Sequence, residues 1–177
     1  MKNKFLNHGE YIEVFITRKN GDVHSFFVSV QDYARVNSFT GTWYLNESKQ
    51  GRFYVHGNLP RNKSNSKSVQ LHRWILDPPS DMCVDHINHD TLDNRRSNLR
   101  IATKAQNSQN REGAPDDNTS GLKGVSWHKR DKRWRAFIGI NRKYKHLGYF
   151  NSKEEAAAAY NRAASFYFGE FAVLNAV

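Results

Sequence analysis

Cysteine is all but missing from these 177 residues. Cys83 stands alone, which excludes an internal disulfide and any zinc site built on several thiolates, and fits a reducing compartment. No apolar run approaches the roughly 20 residues of a membrane-spanning helix. Nothing behind Met1-Lys2-Asn3-Lys4 reads as an apolar signal region, so the expectation is a soluble, cytosolic chain. Hydrophobic residues make up only 38% of the chain while aromatics reach 13%, so burial must come largely from Phe, Tyr and Trp. At this length the chain forms one or two small domains.

Acidic charge is also scarce: 17 Asp and Glu stand against 27 Lys and Arg, a net charge of +10. The excess is uneven. Within 123–145, nine basic residues face Asp131 alone. Such local density points to a polyanion partner, with a solvated surface as the bland alternative.

Tyr11 to Arg18 alternates, with Ile12, Val14 and Ile16 on one face, and Asn20-Gly21 follows as a hairpin signal. Phe26, Val28 and Val30 share a face on the return, so 10–30 reads as a β-hairpin. Asp32 to Val36 suits one helical turn; Thr42 to Leu45 and Arg52 to His56 suit two short strands. Pro60 to Ser68 is a polar, basic loop, either a connector or a tracker of phosphates. His8, His24 and His56 read as surface or sheet residues.

Leu71, Trp74 and Ile75 recur at helical spacing before the stop at Asp77-Pro78-Pro79. Met82 to Val84 is a brief strand ending on Asp85-His86. Leu92 to Asn98 forms a turn rich in Asn and Arg, Leu99 to Ala102 a second strand, and Thr103 caps a helix from Lys104 to about Arg111. This strand–loop–strand–helix unit carries candidate chemistry for phosphodiester cleavage. Asp85 and Asn107 offer oxygen donors of the kind a hard divalent cation takes. His86 offers a neutral imidazole as general base. His72 reads as a packing or hydrogen-bonding residue rather than a metal ligand.

On Leu71-His72-Arg73, Val84-Asp85-His86, Asn94, Asn98-Leu99-Arg100, Asn107 and Asn110, the stretch from Leu71 to Asn110 resembles an HNH endonuclease of the ββα-metal group, of the phage homing type. The resemblance implies that Asp85 and Asn107 hold one Mg²⁺ or Mn²⁺, that His86 is the general base, and that Asn94 or Asn98 braces the loop between the strands. His72 and Asn110 would also brace the motif. Asn107 stands where other members carry the last His, and His89 stands where Gly is more usual.

Glu112 to Gly121 is polar and turn-rich, a linker and domain boundary. Lys123 to Trp127, Arg133 to Ile140 and Tyr144 to Phe150 then read as three strands, and Ser152-Lys153-Glu154-Glu155 as a capping box opening a helix stopped by Gly169. Trp134, Ala136 and Ile138 are assigned to the helix side; Trp127 and Trp134 read as core. Gly124-Val125, Trp134-Arg135-Ala136, Leu147-Gly148-Tyr149-Phe150, Glu155-Ala156-Ala157 and Ala159-Tyr160-Asn161 resemble an APETALA/ethylene-response-factor DNA-binding domain. By that resemblance the DNA-reading sheet face holds Lys123, Ser126, His128, Arg135, Phe137, Tyr144 and His146. Lys129, Arg130, Arg133 and Lys143 are candidates for phosphate contacts. Ser126, His128, Tyr144 and His146 replace residues that are Arg or Trp in plant members, so the plant target sequence does not carry over.

The expected fold is α+β: a β-rich region at 1–68, a ββα-metal unit at 69–112, a linker at 113–121, and at 122–177 a three-stranded antiparallel sheet packed on one helix. The expected function is a site-specific homing endonuclease that hydrolyses double-stranded DNA to 5′-phosphate and 3′-hydroxyl ends. It would use one Mg²⁺, with Mn²⁺ possible, and act as a monomer in the cytoplasm of a bacterial host, phage-encoded or phage-derived. Two alternatives share the sequence features: a DNA-binding regulator with a silent nuclease motif, and a restriction or defence nuclease.

Overall fold

The computed structural model describes residues 1–59, 68–114 and 118–177. The basic loop expected at 60–68 thus falls, but for Ser68, outside the described residues, as does 115–117 of the expected linker. The chain is mixed α+β and divides into two compact units, Met1–Lys104 and Ala105–Val177.

The first unit runs β1 (Phe5–Asn7), β2 (Tyr11–Thr17), β3 (Val23–Ser29), α1 (Tyr33–Asn37), β4 (Trp43–Glu47), β5 (Phe53–Asn58), β6 (Ser68–Gln70), α2 (Leu71–Leu76), β7 (Cys83–His86), β8 (Asp93–Asn94) and β9 (Leu99–Ala102). These form three sheets, in the orders β1-β2-β3-β8, β4-β5-β6 and β7-β9. The alternation in Tyr11–Thr17 does what period 2 requires: Ile12, Val14 and Ile16 are buried and their neighbours are not. Instead of a two-residue turn at Asn20-Gly21, 18–22 forms a wider loop closed by Arg18 N–H on the Asp22 carbonyl at 2.8 Å. Val30 falls beyond the strand's end and is exposed, unlike Phe26 and Val28. Trp43 stacks on Phe39 at 4.2 Å between ring centres, and Trp74 meets both rings edge-on. A single apolar cluster runs from Ile12 through Trp43 and Leu71 to Val84 and Leu99, so the β-rich segment and the β7–β9 ribbon share one core.

The ribbon is fastened to that core by backbone as well as side chains. β8, only two residues long, pairs parallel with β3, Phe27 opposite Asp93 and Val28 opposite Asn94. The Thr91 hydroxyl donates to the Phe53 carbonyl. The guanidinium of Arg96 grips both oxygens of Asp32 with Nε at 2.9 Å, and Asp32 is buried.

The second unit takes in nearly all of α3 (Lys104–Gln109), then β10 (Val125–His128), β11 (Arg133–Ile140), β12 (Lys143–Phe150) and α4 (Lys153–Phe168). The strands form one antiparallel sheet in the order β10-β11-β12. Asn141 and Arg142 both take positive φ, 51° and 62°, in the tight turn between β11 and β12. The Ser152 hydroxyl accepts the Glu155 N–H at 3.1 Å, capping α4, and Gly169 ends it at φ 54°. Ala156, Ala157 and Ala159 let the helix lie close on Val125 and Ala136, with Trp134, Leu147 and Phe150 around them. Ile138 packs with Tyr160 and Ala164. Trp127 is not core: it is 45% exposed and meets Trp134 edge-on at 5.2 Å. Before β10 begins, the Asn118 amide ties the loop, donating to the Leu122 carbonyl at 2.9 Å and accepting the Ser120 N–H at 2.8 Å.

Gly124 sits at φ 67°, and a Cβ there would run into the Tyr160 ring and the Phe137 carbonyl. Left-handed strain and overpacking act together at that position. Gly124→Ala is expected to destabilise the sheet unit by more than about 2 kcal/mol, read as a shifted midpoint in urea unfolding of the whole chain; an unchanged midpoint would contradict the packing described.

Candidate active site and nucleic-acid interface

The β7–β9 pairing sets Asp85 opposite Arg100 and His86 opposite Leu99. Both Asp85 and His86 are 6% exposed, an unusual depth for two adjacent ionisable side chains. Arg100 Nε donates to Asp85 Oδ2 at 2.8 Å, and Nη2 lies 2.8 Å from the same oxygen. Cross-strand partners lie side by side on one face, so this ion pair is a direct consequence of register.

His86 is oriented by its neighbours. Its Nε2 lies 3.4 Å from Asn94 Oδ1. An amide oxygen accepts only, so Nε2 carries the hydrogen and Nδ1 keeps the lone pair. The imidazole meets the His72 ring edge-on at 5.2 Å, and Tyr54 closes on both rings. Burial lowers the His86 pKa below the usual histidine value, opposed by the Asn94 hydrogen bond and by the charges of Asp85, Asp90 and Asp93. Neutral imidazole is therefore its form at neutral pH.

The two loop asparagines divide the bracing between them. Asn98 Oδ1 accepts the Asn88 N–H at 2.8 Å while its Nδ2 donates to the Asp93 carbonyl at 2.8 Å, tying the loop across its base. Asn94 donates to the Leu92 carbonyl at 3.2 Å and holds His86. His89 lies at the tip with φ 64°, the conformation that makes Gly more usual there. Asn107 is exposed on α3 and falls within the second unit, whereas Asp85 and His86 belong to the first. Asn110 is buried, its N–H extending the helix onto the Gln106 carbonyl at 3.1 Å.

On the sheet, Arg135, Phe137, Tyr144 and His146 line one cleft of about 480 Å³ together with Tyr149. Ser126 joins them by accepting from Arg135 Nη2 at 3.2 Å, and His128 through its ring contact with Tyr149 at 5.2 Å. Tyr149 was not among the residues expected on this face. The register shifts at Ala136/Phe137, where Gly148 (φ 136°) opposes Ala136 and His146 opposes Phe137. Leu147 is the additional residue, so simple alternation fails and both His146 and Tyr149 face outward. Lys123 departs from expectation. Its ammonium donates to the Gln109 and Arg111 carbonyls at 3.3 and 2.7 Å, closing the end of α3, and burial lowers its pKa. Lys129, Arg133 and Lys143 are exposed around the sheet's turns; Arg130 is exposed too, with Nε 3.0 Å from Asp131.

Two residues of the first-unit site carried no role in the sequence reading. Arg100 needed the strand register to reveal its partner, and Tyr54 arrives from a strand some thirty positions away. His72 is the most strongly perturbed of the group: burial first, and then the charges of His86 and its neighbours, lower its pKa to about 3. The unfolded chain takes up this proton near pH 6.5 and the folded one does not. Stability on this account is complete above pH 6.5 and falls as pH drops toward 3, by roughly 1.4 kcal/mol per pH unit in that window. Urea midpoints measured from pH 7 to pH 4.5 are expected to show this slope, and His72→Phe to flatten it.

Comparison with known proteins identifies two segments of the chain. Residues 69–109 match a family model described as HNH endonuclease, and residues 120–170 one described as AP2 domain. An uncharacterized HNH endonuclease of Acanthamoeba polyphaga mimivirus is 34% identical over 160 residues, covering 85% of this chain and 74% of its own. Protein 3.8 of Escherichia phage T7 is 42% identical over 60 residues, 34% of this chain and 49% of its own. Ethylene-responsive transcription factor WRI1 of Arabidopsis thaliana is 48% identical over 58 residues, 32% of this chain but only 14% of its own. The AP2 and HNH matches make DNA the partner of both parts, and the breadth of the mimivirus match settles the family: the chain belongs to the HNH endonucleases, a nuclease that also carries an AP2 domain.

Proposed function

We propose that the protein is a site-specific endonuclease of the homing type that cuts double-stranded DNA as a monomer, in the cytoplasm of a bacterial host, from a gene carried by or derived from a phage. The observation that carries the chemistry is the buried Asp85-His86 pair with His86 held by Asn94. The phage and viral relatives support the origin.

The donor set suits a hard cation. Asp85 supplies a carboxylate already neutralised by a cationic group, and Asn107 an amide oxygen. Among the described residues, no cluster of three or more His, Cys, Asp or Glu side chains is placed to hold a metal. Two protein oxygens, with water and phosphate oxygens completing the shell, is the manner in which Mg²⁺ is held. Bound there, Mg²⁺ or Mn²⁺ supplies neutralisation of the phosphate and of the departing oxygen. His86 Nδ1 takes a proton from water as the water oxygen bonds to phosphorus. The bond from phosphorus to the 3′ oxygen breaks with its electron pair on that oxygen, which takes a proton from solvent water, leaving a 5′-phosphate and a 3′-hydroxyl. Asn98 and Asn94 hold the loop and the imidazole still through these steps. The outward face of the sheet, from Ser126 and His128 to Tyr144 and His146, reads the duplex, and Lys129, Arg130, Arg133 and Lys143 hold its phosphates.

Incubating the protein with host genomic DNA, with and without Mg²⁺, and sequencing the ends tests the proposal. Recurrent metal-dependent ends bearing 5′-phosphate are expected; their absence would leave a DNA-binding regulator. His86→Ala is expected to slow cleavage by at least about 10²-fold while duplex binding holds. Removing one phosphate contact, as in Arg133→Ala, should weaken binding to all sequences alike and reduce the slope of log affinity against log salt by about 1. A loss confined to one sequence would instead mark Arg133 as a base reader.

A further inference from the structure

We infer that Arg100 is the resting countercharge of Asp85 and exchanges partners when the nuclease loads: its guanidinium leaves the carboxylate for a phosphate oxygen of the DNA as a divalent cation takes its place. This rests on the assignment of Asp85 as a cation ligand.

Asp85 and Arg100 face each other in register on β7 and β9, with side chains 7% and 11% exposed. A carboxylate this deep is costly without a partner, and Arg100 meets that need with two nitrogens at 2.8 Å from Oδ2. A cation bound to the carboxylate would approach its oxygen to about 2.1 Å. Two positive groups so close on one carboxylate repel, and each weakens the hold of the other. A neighbouring cationic group typically lowers the affinity of a carboxylate for a proton by roughly one to three orders of magnitude, and a metal ion meets the same opposition. The planar fork of Arg fits a phosphate as well as a carboxylate, so the displaced group has a natural acceptor in the strand being cut. The consequence is coupling. DNA draws Arg100 away and tightens cation binding, and by reciprocity the cation tightens DNA binding. Until DNA arrives, Arg100 shields the Asp85 carboxylate from adventitious cations.

The test is Mn²⁺ titration of the full-length protein followed by electron paramagnetic resonance of free Mn²⁺, repeated with heterogeneous duplex DNA in a His86→Ala background so that nothing is cut. Without DNA, Arg100→Gln is expected to bind Mn²⁺ about tenfold more tightly than the parent, and the tightening caused by DNA to shrink in the variant. Arg100→Lys, which keeps the charge but not the fork, is expected to fall between and covers the case in which the Gln variant does not fold. Folded variants with parental Mn²⁺ affinity, or weaker, would overturn the exchange. A parent that binds no Mn²⁺ with or without DNA would sink the cation-site assignment as well.

Discussion

A carboxylate and an imidazole buried as chain neighbours at the end of a two-stranded ribbon impose the main constraint on this structure. Neither is easily buried, and each is made tolerable by a different device. Asp85 is neutralised across the ribbon by Arg100, and His86 loses its proton and rests on Asn94. Both devices demand an exact register between β7 and β9. A slip of one residue would put Leu99 or Ile101 opposite Asp85 and leave the charge alone.

That demand explains why so much of the first unit lies outside the ribbon. Two strands of four residues each cannot hold register by themselves. The β-rich segment supplies what they lack. β8 borrows a place at the edge of the β1-β2-β3 sheet, and Arg96 and Asp32 lock the loop to the turn after β3. Val84 and Leu99 enter the same apolar cluster as Ile12 and Trp43. The N-terminal strands, in which no chemistry was found, are thus the anvil on which the loop from Ile87 to Asn98 is shaped. The loop's own hydrogen bonds, chiefly those of Asn98 and Asn94, then carry the rigidity to His86.

Much of this was legible from residues alone, and the illegible parts share a cause. The strands Tyr11–Thr17 and Arg133–Ile140 announced themselves by alternation, and α4 by its capping box and alanine stripe, because those signals are local. Asp85 and His86 stood out as a chemical pair. What could not be read depends on a partner distant in sequence. β8 is a strand only because β3 lies beside it, Arg100 matters only through the pairing with Asp85, and Lys123 turned inward to carbonyls more than ten positions back. Tyr149 was hidden by the register shift at Leu147, which breaks the period-2 rule that placed its neighbours.

If the sheet face is the DNA-reading surface proposed, it separates holding DNA from reading it. Its turns carry exposed cations, Lys129, Arg133 and Lys143, whose attraction for phosphate is strong and indifferent to sequence. Its centre is different in kind. Arg135 lies over the Phe137 ring at 5.3 Å and donates to Ser126, so its guanidinium is fixed before any ligand arrives. Tyr144, His146 and Tyr149 surround it with rings rather than further charge. A fixed fork among aromatic walls loses little entropy on contact and tolerates few alternatives, whereas mobile lysines at the rim tolerate all of them. On the proposed reading, discrimination among target sequences would concentrate in the cleft around Arg135, while the net charge of +10 would govern how readily any duplex is engaged.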